Sequence, residues 1–145
     1  MKRLALTVAA AAISMGLAST LASAGSTVII QQYGNNNSVG AVQQGSNNFA
    51  HVFQKKKRNR AIIGQRGRNN VAVSAQDGYD NSSATYQKGK NNLSGIAQFG
   101  KKNDAEIEQT GSNNAAGIIQ IGKGHKAKTY QSGSGNTSLV IQGGW

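Results

Sequence analysis

Ionisable side chains are the first place to look for chemistry, and this chain has few that could perform it. The 145 residues contain no cysteine, two histidines, and five Asp or Glu against 16 Lys or Arg, for a formal net charge of +11. Without cysteine there is no thiolate ligand for a metal and no disulfide. Asp104, Glu106 and Glu108 alternate along one segment, but an exposed acidic stripe provides no shaped pocket for catalysis. These residues predict a structural or binding protein rather than an enzyme, with no cofactor, no metal site and no small-molecule substrate.

The basic residues are the second candidate for chemistry. A run of cations and three arginines after it form a basic cluster: Lys55, Lys56, Lys57, Arg58, Arg60, Arg66 and Arg68. Such a cluster could dock an anionic polymer such as DNA or lipopolysaccharide, or it could act only as a gatekeeper that limits self-stacking. Asp77 and Asp80 are placed to pair with it from a neighbouring repeat. It lacks the interleaved aromatic residues of a single-stranded nucleic-acid site.

An eleven-residue repeat positions all of these side chains. Glutamine recurs at Gln32, Gln43, Gln54, Gln65, Gln76, Gln87, Gln98, Gln109, Gln120, Gln131 and Gln142. Two residues later comes glycine, at Gly34, Gly45, Gly67, Gly78, Gly89, Gly100, Gly111, Gly122, Gly133 and Gly144. Five residues after Gln comes asparagine, at Asn37, Asn48, Asn59, Asn70, Asn81, Asn92, Asn103, Asn114 and Asn136. The exceptions are Lys56 in the glycine position and His125 in the asparagine position. A fixed period of this kind indicates a repeat architecture.

The segment from each Asn to the next Gln is predicted to be a strand of seven residues. Alternate residues of these segments share one face that is small or β-branched and carries no charge, so this face should be interior. The strands expected are about 26–32, 37–43, 48–54, 59–65, 70–76, 81–87, 92–98, 103–109, 114–120, 125–131 and 136–142. The four residues between Gln and Asn, with a glycine among them, are expected to form each turn.

The fold predicted is an all-β solenoid with two strands in each 22-residue rung. Eleven-residue periods also occur in right-handed coiled coils, but glycine in nearly every unit would destabilise a helix. Successive rungs should stack as parallel, in-register strands in the manner of cross-β structure, with Gln and Asn forming amide ladders. His125 is expected to be a tolerated replacement, buried within the Asn ladder.

The first 24 residues are predicted to lie outside this fold. Lys2 and Arg3 precede an uncharged segment, 4–21, and Ala22-Ser23-Ala24 resembles a cleavage site. This arrangement is typical of a secretory signal peptide, and the alternative is a membrane anchor. The predicted domains are therefore a signal peptide at 1–24 and a repeat domain at 25–145, secreted through the periplasm.

Alternate strands should lie in opposite sheets, which gives the two outer faces different compositions. One face carries acids and bases such as Arg60, Glu106 and Lys128, whereas the strands of the other face are uncharged. The apolar lateral face consists of Phe49, Phe53, Val71, Val73, Leu93, Ile119, Leu139 and Ile141. A contiguous apolar face indicates an interface, here with another filament or subunit. The alternative is a weakly soluble face without a partner.

The repeat resembles the curlin family in the spacing Ser26-x5-Gln32-x-Gly34-x2-Asn37-x-Val39-x3-Gln43, and Ala61–Asn70 is similar to the family's minor, nucleating subunit. The resemblance implies an extracellular functional amyloid at the bacterial outer membrane that serves adhesion and biofilm. It also implies a second curlin subunit, an outer-membrane export pore and accessory proteins as partners. Curlin subunits usually carry a non-repeat segment after the signal peptide, whereas here the repeat begins at Ser26, so the sequence does not show how the chain reaches the pore.

The terminal strands, 26–32 and 136–142, carry no charge and no cap. Unpaired strand edges add further strands, so the chain is expected to polymerise end to end. Major subunit and nucleator are both open roles. The alternative function is a secreted basic solenoid that binds anionic polymers without forming fibres.

Overall fold

A computed structural model describes residues 6–10 and 25–144, and these contain twelve β-strands. The strands are β1 (Leu6–Ala10), β2 (Thr27–Asn35), β3 (Ser38–Ser46), β4 (Phe49–Lys57), β5 (Arg60–Arg68), β6 (Val71–Tyr79), β7 (Ser82–Lys90), β8 (Leu93–Lys101), β9 (Asp104–Ser112), β10 (Ala115–Lys123), β11 (Lys126–Ser134) and β12 (Thr137–Gly144). The part of the chain that the structure describes contains no helix long and apolar enough to cross a membrane.

The strands form two parallel sheets that the chain visits in alternation. The first sheet has the order β1-β2-β4-β6-β8-β10-β12, and the second has the order β11-β9-β7-β5-β3. Between neighbouring strands of a sheet, each residue lies opposite the residue 22 positions away, as in Gln54 with Gln76 and Gln65 with Gln87. The β-solenoid of 22-residue rungs predicted from the sequence is therefore confirmed, including the assignment of alternate strands to opposite sheets.

The strands are longer, and the turns shorter, than the sequence indicated. From β2 to β11 each strand has nine residues rather than seven, because the backbone continues past the repeat glycine and pairs with the next rung. Only two residues are left for the reversal between strands, such as Asn36 and Asn37. The first of the two is left-handed even where it is not glycine, with φ of 59° at Asn36 and at Arg58. Asparagine tolerates this region better than most residues, which accounts for its frequency here.

The core is thin and consists of the inner faces of the two sheets. An apolar cluster from β2 to β6 includes Val52 and Ile63, and a second from β8 to β10 includes Ile96, Ile107 and Ile118. A layer of buried hydroxyl side chains lies between the two clusters: Ser74, Ser83, Thr85 and Ser94. Ser74 Oγ and Ser83 Oγ are 2.6 Å apart and hydrogen-bond each other across the core. No charged residue is buried among residues 25–144, as the charge pattern predicts.

The main chain of β1 lies against the outer edge of β2, with Leu6 opposite Val28 and Ala10 opposite Gln32. This strand belongs to the segment that the sequence assigns to a signal peptide. The proposed cleavage site, at 22–24, lies outside the described residues. The edge of β2 therefore accepts a parallel strand in the same 22-residue register that joins the rungs.

Candidate functional site

The repeat glutamines form one continuous hydrogen-bonded ladder in each sheet. Nε2 of each Gln donates to Oε1 of the Gln 22 positions later, over 2.8 Å from Gln54 to Gln76 and 2.8 Å from Gln76 to Gln98. The ladder glutamines from Gln43 to Gln131 are buried. Because a buried amide without a partner costs about 1–3 kcal/mol, the ladder holds the rungs in register.

Each ladder glutamine from Gln43 to Gln142 also joins the two sheets. The second N–H of Nε2 donates to the main-chain carbonyl 16 residues earlier, as from Gln65 to Phe49 over 2.9 Å and from Gln98 to Ser82 over 2.7 Å. That carbonyl lies at the start of the preceding strand, in the opposite sheet. A single side chain thus connects its own strand, the next rung and the facing sheet. The period of the sequence shows that these residues stack but not that they cross the core.

The asparagines form a second ladder whose hydrogen bonds point the other way. Nδ2 and the main-chain N–H of Asn70 both donate to Oδ1 of Asn48, in the preceding rung, each over 3.1 Å. The same pattern links Asn92 back to Asn70 and Asn114 back to Asn92. Gln amides therefore donate towards the C-terminal rung, and Asn amides towards the N-terminal rung.

The repeat glycine lies where the Asn ladder meets the main chain of the next rung. Asn92 Nδ2 also donates to the carbonyl of Gly111 over 3.1 Å, and φ at the repeat glycines lies between 104° and 152°. A Cβ on Gly89 would be 1.9 Å from the carbonyl oxygen of Gly111. The glycines thus lie inside the ends of the strands, where rungs approach closely, and not at the reversal where the sequence placed them.

The two ends of the solenoid carry complementary hydrogen-bonding groups. At the N-terminal end, Gln43 Oε1 is buried without a hydrogen-bond partner. At the C-terminal end, Gln142 Nε2 donates to the carbonyl of Lys126, and no residue in the described part of the chain takes its second N–H. Asn136 likewise donates back to Asn114, and no donor to its Oδ1 is found among residues 25–144. Each end thus presents the groups that the other end lacks.

The two departures from the Asn ladder lie at its two ends. Ser26 Oγ accepts from the N–H of Asn48 over 3.2 Å, as an Asn Oδ1 would. The Nε2 of His125 lies 3.1 Å from the carbonyl of Ile121 and 3.0 Å from that of Gly144, so it takes the place of an Asn Nδ2. The expectation that the His125 ring is buried was wrong, because β11 is the last strand of its sheet and leaves the ring half-exposed.

The apolar lateral face lies on the outside of the first sheet. Its residues on β4 and β6, namely Phe49, Phe53, Val71 and Val73, are half-buried between neighbouring rungs. Its C-terminal members are more open, with Leu139 and Ile141 each 64% exposed. The residues are therefore aligned on one surface, with the largest exposed area at the C-terminal rung.

The structure divides the basic cluster between the two edges of the solenoid. Lys55–Arg58 lie at the end of β4, whereas Arg66 and Arg68 lie at the far end of β5, about 20 Å or more from Arg60 along that strand. On this second edge Arg66 lies opposite Lys88 of the next rung in the strand register, and Arg68 lies opposite Lys90. None of the three ion pairs among the described residues involves these four cations.

The first edge is partly neutralised. Lys56 Nζ lies 2.8 Å from Asp77 Oδ1, and Arg58 Nε lies 2.6 Å from Asp80 Oδ1, each in the next rung. The hydrogen bond from Arg58 lowers the pKa of Asp80, and the bond to Asp77 raises the pKa of Lys56. The Lys56 and Lys101 ammonium groups lie 5.9 and 5.4 Å from the centre of the Tyr79 ring, within the range of a cation–π contact. These cations are engaged within the solenoid.

Residues that could bind a metal do not converge in the described part of the chain, where no group of three His, Asp or Glu side chains is found. Asp104 and Glu106 lie on the outer face of β9, and Lys128 Nζ bonds Glu106 Oε1 over 3.0 Å. The main features of the described residues are therefore strand edges, amide ladders and two outer faces of different composition, all of which suit contacts with other chains.

Comparison with known families identifies the repeat. Three segments match the sequence model of the Curlin associated repeat: residues 24–55, 80–111 and 103–128, which together cover more than half of the chain. No curated protein matches the chain significantly. The matched segments include strands of both sheets and both amide ladders.

Proposed function

The chain belongs to the curlin-repeat family, and on that basis we propose that it is a secreted structural subunit of extracellular curli-type amyloid fibres. Residues 1–24 act as a signal peptide, and residues 25–145 fold into the solenoid after export through the periplasm. The family places such fibres at the bacterial cell surface, where they support adhesion and the biofilm matrix. The proposed partners are further copies of the chain, a second curlin subunit, the outer-membrane export pore and its accessory proteins.

One observation carries this proposal: once residues 1–24 are removed, and β1 with them, neither end of the solenoid is covered by a further strand, and the hydrogen-bonding groups of the two ends are complementary. The buried Oε1 of Gln43 needs a donor, and Gln142 at the opposite end has a donor to offer. Soluble repeat proteins cover such ends with polar capping units. Here the outward side chains of β12 include Leu139 and Ile141, both exposed. Growth by addition of strands at the ends satisfies these groups, whereas the isolated chain leaves them unpaired.

Assembly kinetics of the purified chain 25–145 test the proposal. We expect thioflavin T fluorescence to rise as fibres form, and fibre diffraction to show a meridional spacing of about 4.7–4.8 Å. A lag that preformed seeds abolish would identify a bulk subunit. A negligible lag, with cross-seeding of a second curlin subunit, would identify a nucleator. A protein that stays monomeric at high concentration would contradict the proposal.

The second edge of the solenoid favours a further candidate function. Arg66, Arg68, Lys88 and Lys90 stack on two adjacent rungs without an ion pair, which is a suitable site for an anionic polymer. In this alternative the chain binds DNA or lipopolysaccharide as a basic solenoid without forming fibres. Salt-dependent DNA binding by non-fibrillar protein, lost when Arg68 and Lys90 are changed to Gln, would support it.

A further inference from the structure

The solenoid between residues 25 and 144 has an odd number of strands, and this determines how copies can stack. Strands alternate between the two sheets from β2 to β12, which makes eleven strands. Without β1, the first sheet has six strands and the second has five. The solenoid therefore ends half a rung out of step with its beginning. After removal of residues 1–24, its C-terminal surface exposes the edges of β11 and β12, and its N-terminal surface exposes those of β2 and β3.

We propose that successive copies in the fibre are related by a half-turn, so that β12 of one copy pairs with β3 of the next and β11 pairs with β2. In this stack the first sheet of one copy continues into the second sheet of the next. The alternation of strands then passes through the junction without interruption. This inference rests on the proposed function, because it concerns the symmetry of the fibre that the chain forms.

Gln43 distinguishes this stack from its alternative. Pairing β12 with β3 places Gln142 opposite Gln43 of the next copy, so the unused N–H of Gln142 can donate to the buried, unpartnered Gln43 Oε1. In the alternative, a stack that preserves the faces, each sheet of one copy continues into the same sheet of the next copy. This stack would pair β12 with β2 and place Gln142 opposite Gln32. A one-strand gap would then separate β11 from β3 of the next copy, and Gln43 Oε1 would still lack a donor.

The gap would also leave main-chain groups unpaired on two strands. Both β11 and β3 have nine residues, and each would face an empty strand position between copies. Unpaired, buried peptide groups are rare because each costs a hydrogen bond. In the half-turn stack all four edge strands are paired. Main-chain hydrogen bonding therefore favours the half-turn stack, as the unpartnered Oε1 of Gln43 does.

The asparagine column agrees with this stack. Asn136 lies opposite Asn37 of the next copy, whose N–H and Nδ2 groups can donate to Asn136 Oδ1 as they do between internal rungs. His125 lies opposite Ser26, so the two exceptions to the Asn column meet at one junction. The edge of β2 that receives β11 is already shown to accept a parallel strand, because β1 lies there in the structure.

The half-turn has a consequence for the fibre surface. Each side of the fibre presents the apolar lateral face of one copy and then the outer face of the second sheet of the next copy, which carries Arg60, Glu106 and Lys128. One copy spans five and a half rungs, or about 26 Å at ~4.8 Å per rung, and the pattern on one side repeats after about 53 Å. Fibres can therefore associate through the apolar lateral face only in patches staggered between their two sides.

Disulfide trapping tests the pairing directly, since the chain has no cysteine of its own. The double variant Val42→Cys with Ile141→Cys places the two thiols on neighbouring strands of the half-turn junction, where the Cα separation suits a disulfide. Gln31→Cys with Ile141→Cys is the matched control, because those positions adjoin only in the stack that preserves the faces. Under oxidation of assembled fibres, we expect a ladder of reducible covalent multimers from the first variant and monomer from the second.

Cryo-electron microscopy of the unmodified fibres provides the independent measurement. We expect a rise of about 26 Å per copy with a rotation of a half-turn, added to the gradual twist of the stack. A rise of about 29 Å without the half-turn, or multimers from the Gln31 variant, would overturn the inference and leave the proposed function intact. Absence of fibres from the unmodified chain would overturn both.

Discussion

Lys56 lies directly opposite Gly78 on the next rung, yet the backbone φ is 76° at Lys56 and 151° at Gly78. Lys56 occupies the position that is glycine in the other repeats, and its different φ shows how the chain accommodates a Cβ there. A left-handed conformation costs a non-glycine residue about 1–2 kcal/mol. The ion pair of Lys56 with Asp77 offsets at most part of this cost, because exposed pairs contribute little.

A glycine substitution within one strand tests this account. A Cβ at Gly100 would be 2.0 Å from the carbonyl oxygen of Gly122, whereas a Cβ at Gly95 would have no atom within 4 Å. We expect Gly100→Ala to lower the free energy of unfolding by at least about 1–2 kcal/mol. Gly95→Ala, also on β8, should be neutral or stabilising by up to about 1 kcal/mol. Urea denaturation measures both, and equal losses would show that the close approach of rungs is not the cause.

Loss of a ladder glutamine at an internal rung should lower the free energy of unfolding by more than the glycine substitution does. Gln98 accepts from Gln76 and donates to Gln120 and to the carbonyl of Ser82. Gln98→Ala removes these bonds and leaves buried partners unsatisfied, at about 1–3 kcal/mol each, so we expect a loss of about 3 kcal/mol or more in denaturant titration. Gln44→Ala is the control, since Gln44 is exposed and outside the ladder. A small effect of Gln98→Ala would mean that the ladder contributes little.

The hydroxyl layer in the core contains one residue, Thr85, whose replacement should increase the stability of the fold. Thr85 Oγ1 is buried without a hydrogen-bond partner, and the residue lies between Ile63 and Ile107 on adjacent rungs. Thr85→Val replaces this hydroxyl by a methyl group and should stabilise the fold by about 1 kcal/mol. Thermal denaturation would detect the change. Thr137→Val, at an exposed position on β12, should leave the midpoint unchanged, and destabilisation by Thr85→Val would contradict the prediction.

Acid should weaken the edge that carries Asp80. The pKa of Asp80 is lowered by the hydrogen bond from Arg58, so the contribution of this pair is present above the ordinary carboxyl pKa of about 4. It is lost as the pH falls through the lower pKa of the folded state. Asp80→Asn should therefore reduce the loss of stability between neutral pH and pH ~3. Asp104→Asn, at an exposed carboxylate without an ion pair, should keep the profile of the parent, and identical profiles for all three proteins would contradict the prediction.

The apolar lateral face can be tested separately from polymerisation. Val73→Lys with Ile119→Lys places charges on the outside of the first sheet, and we expect thinner fibre bundles with unchanged fibre yield because only the lateral contacts are disturbed. The control is Ile62→Lys with Ala84→Lys, at half-buried outward positions of the second sheet. Electron micrographs would give bundle widths. Unchanged bundling in the first variant would support a surface without a partner.

Much of the fold follows from one period in the sequence. The spacing of Gln32 and its ten successors predicts the rung, the register and the division of strands between sheets. A shift of one residue in the register would turn the charged side chains towards the core, so the charge pattern excludes it. Strand length was underestimated because Gly34 was assigned to a turn, although its positive φ lets the strand continue. The basic residues looked like one cluster because they are close in the sequence, whereas the extended backbone of β5 separates Arg60 from Arg66 and Arg68.

Other features depend on atomic positions that the period does not give. The bond from Gln65 to Phe49 requires the offset between the two sheets, and the contact of Ser74 with Ser83 requires the thickness of the core. The direction of each ladder depends on which amide atom faces which rung. The unpartnered Oε1 of Gln43, on which the stacking of copies depends, therefore appears only in the structure.

The opposite directions of the two ladders have an electrostatic consequence for a long fibre. Within the ladders, Gln amides donate towards the C-terminal rung and Asn amides towards the N-terminal rung, so the two columns of amides oppose each other. The strands themselves add little, because the dipoles of peptide groups in a sheet nearly cancel. A filament built this way has chemically distinct ends, although its two kinds of ladder do not add up to one continuous column of aligned amides. The ladders can therefore be extended rung by rung without an amide dipole that grows with the length of the filament.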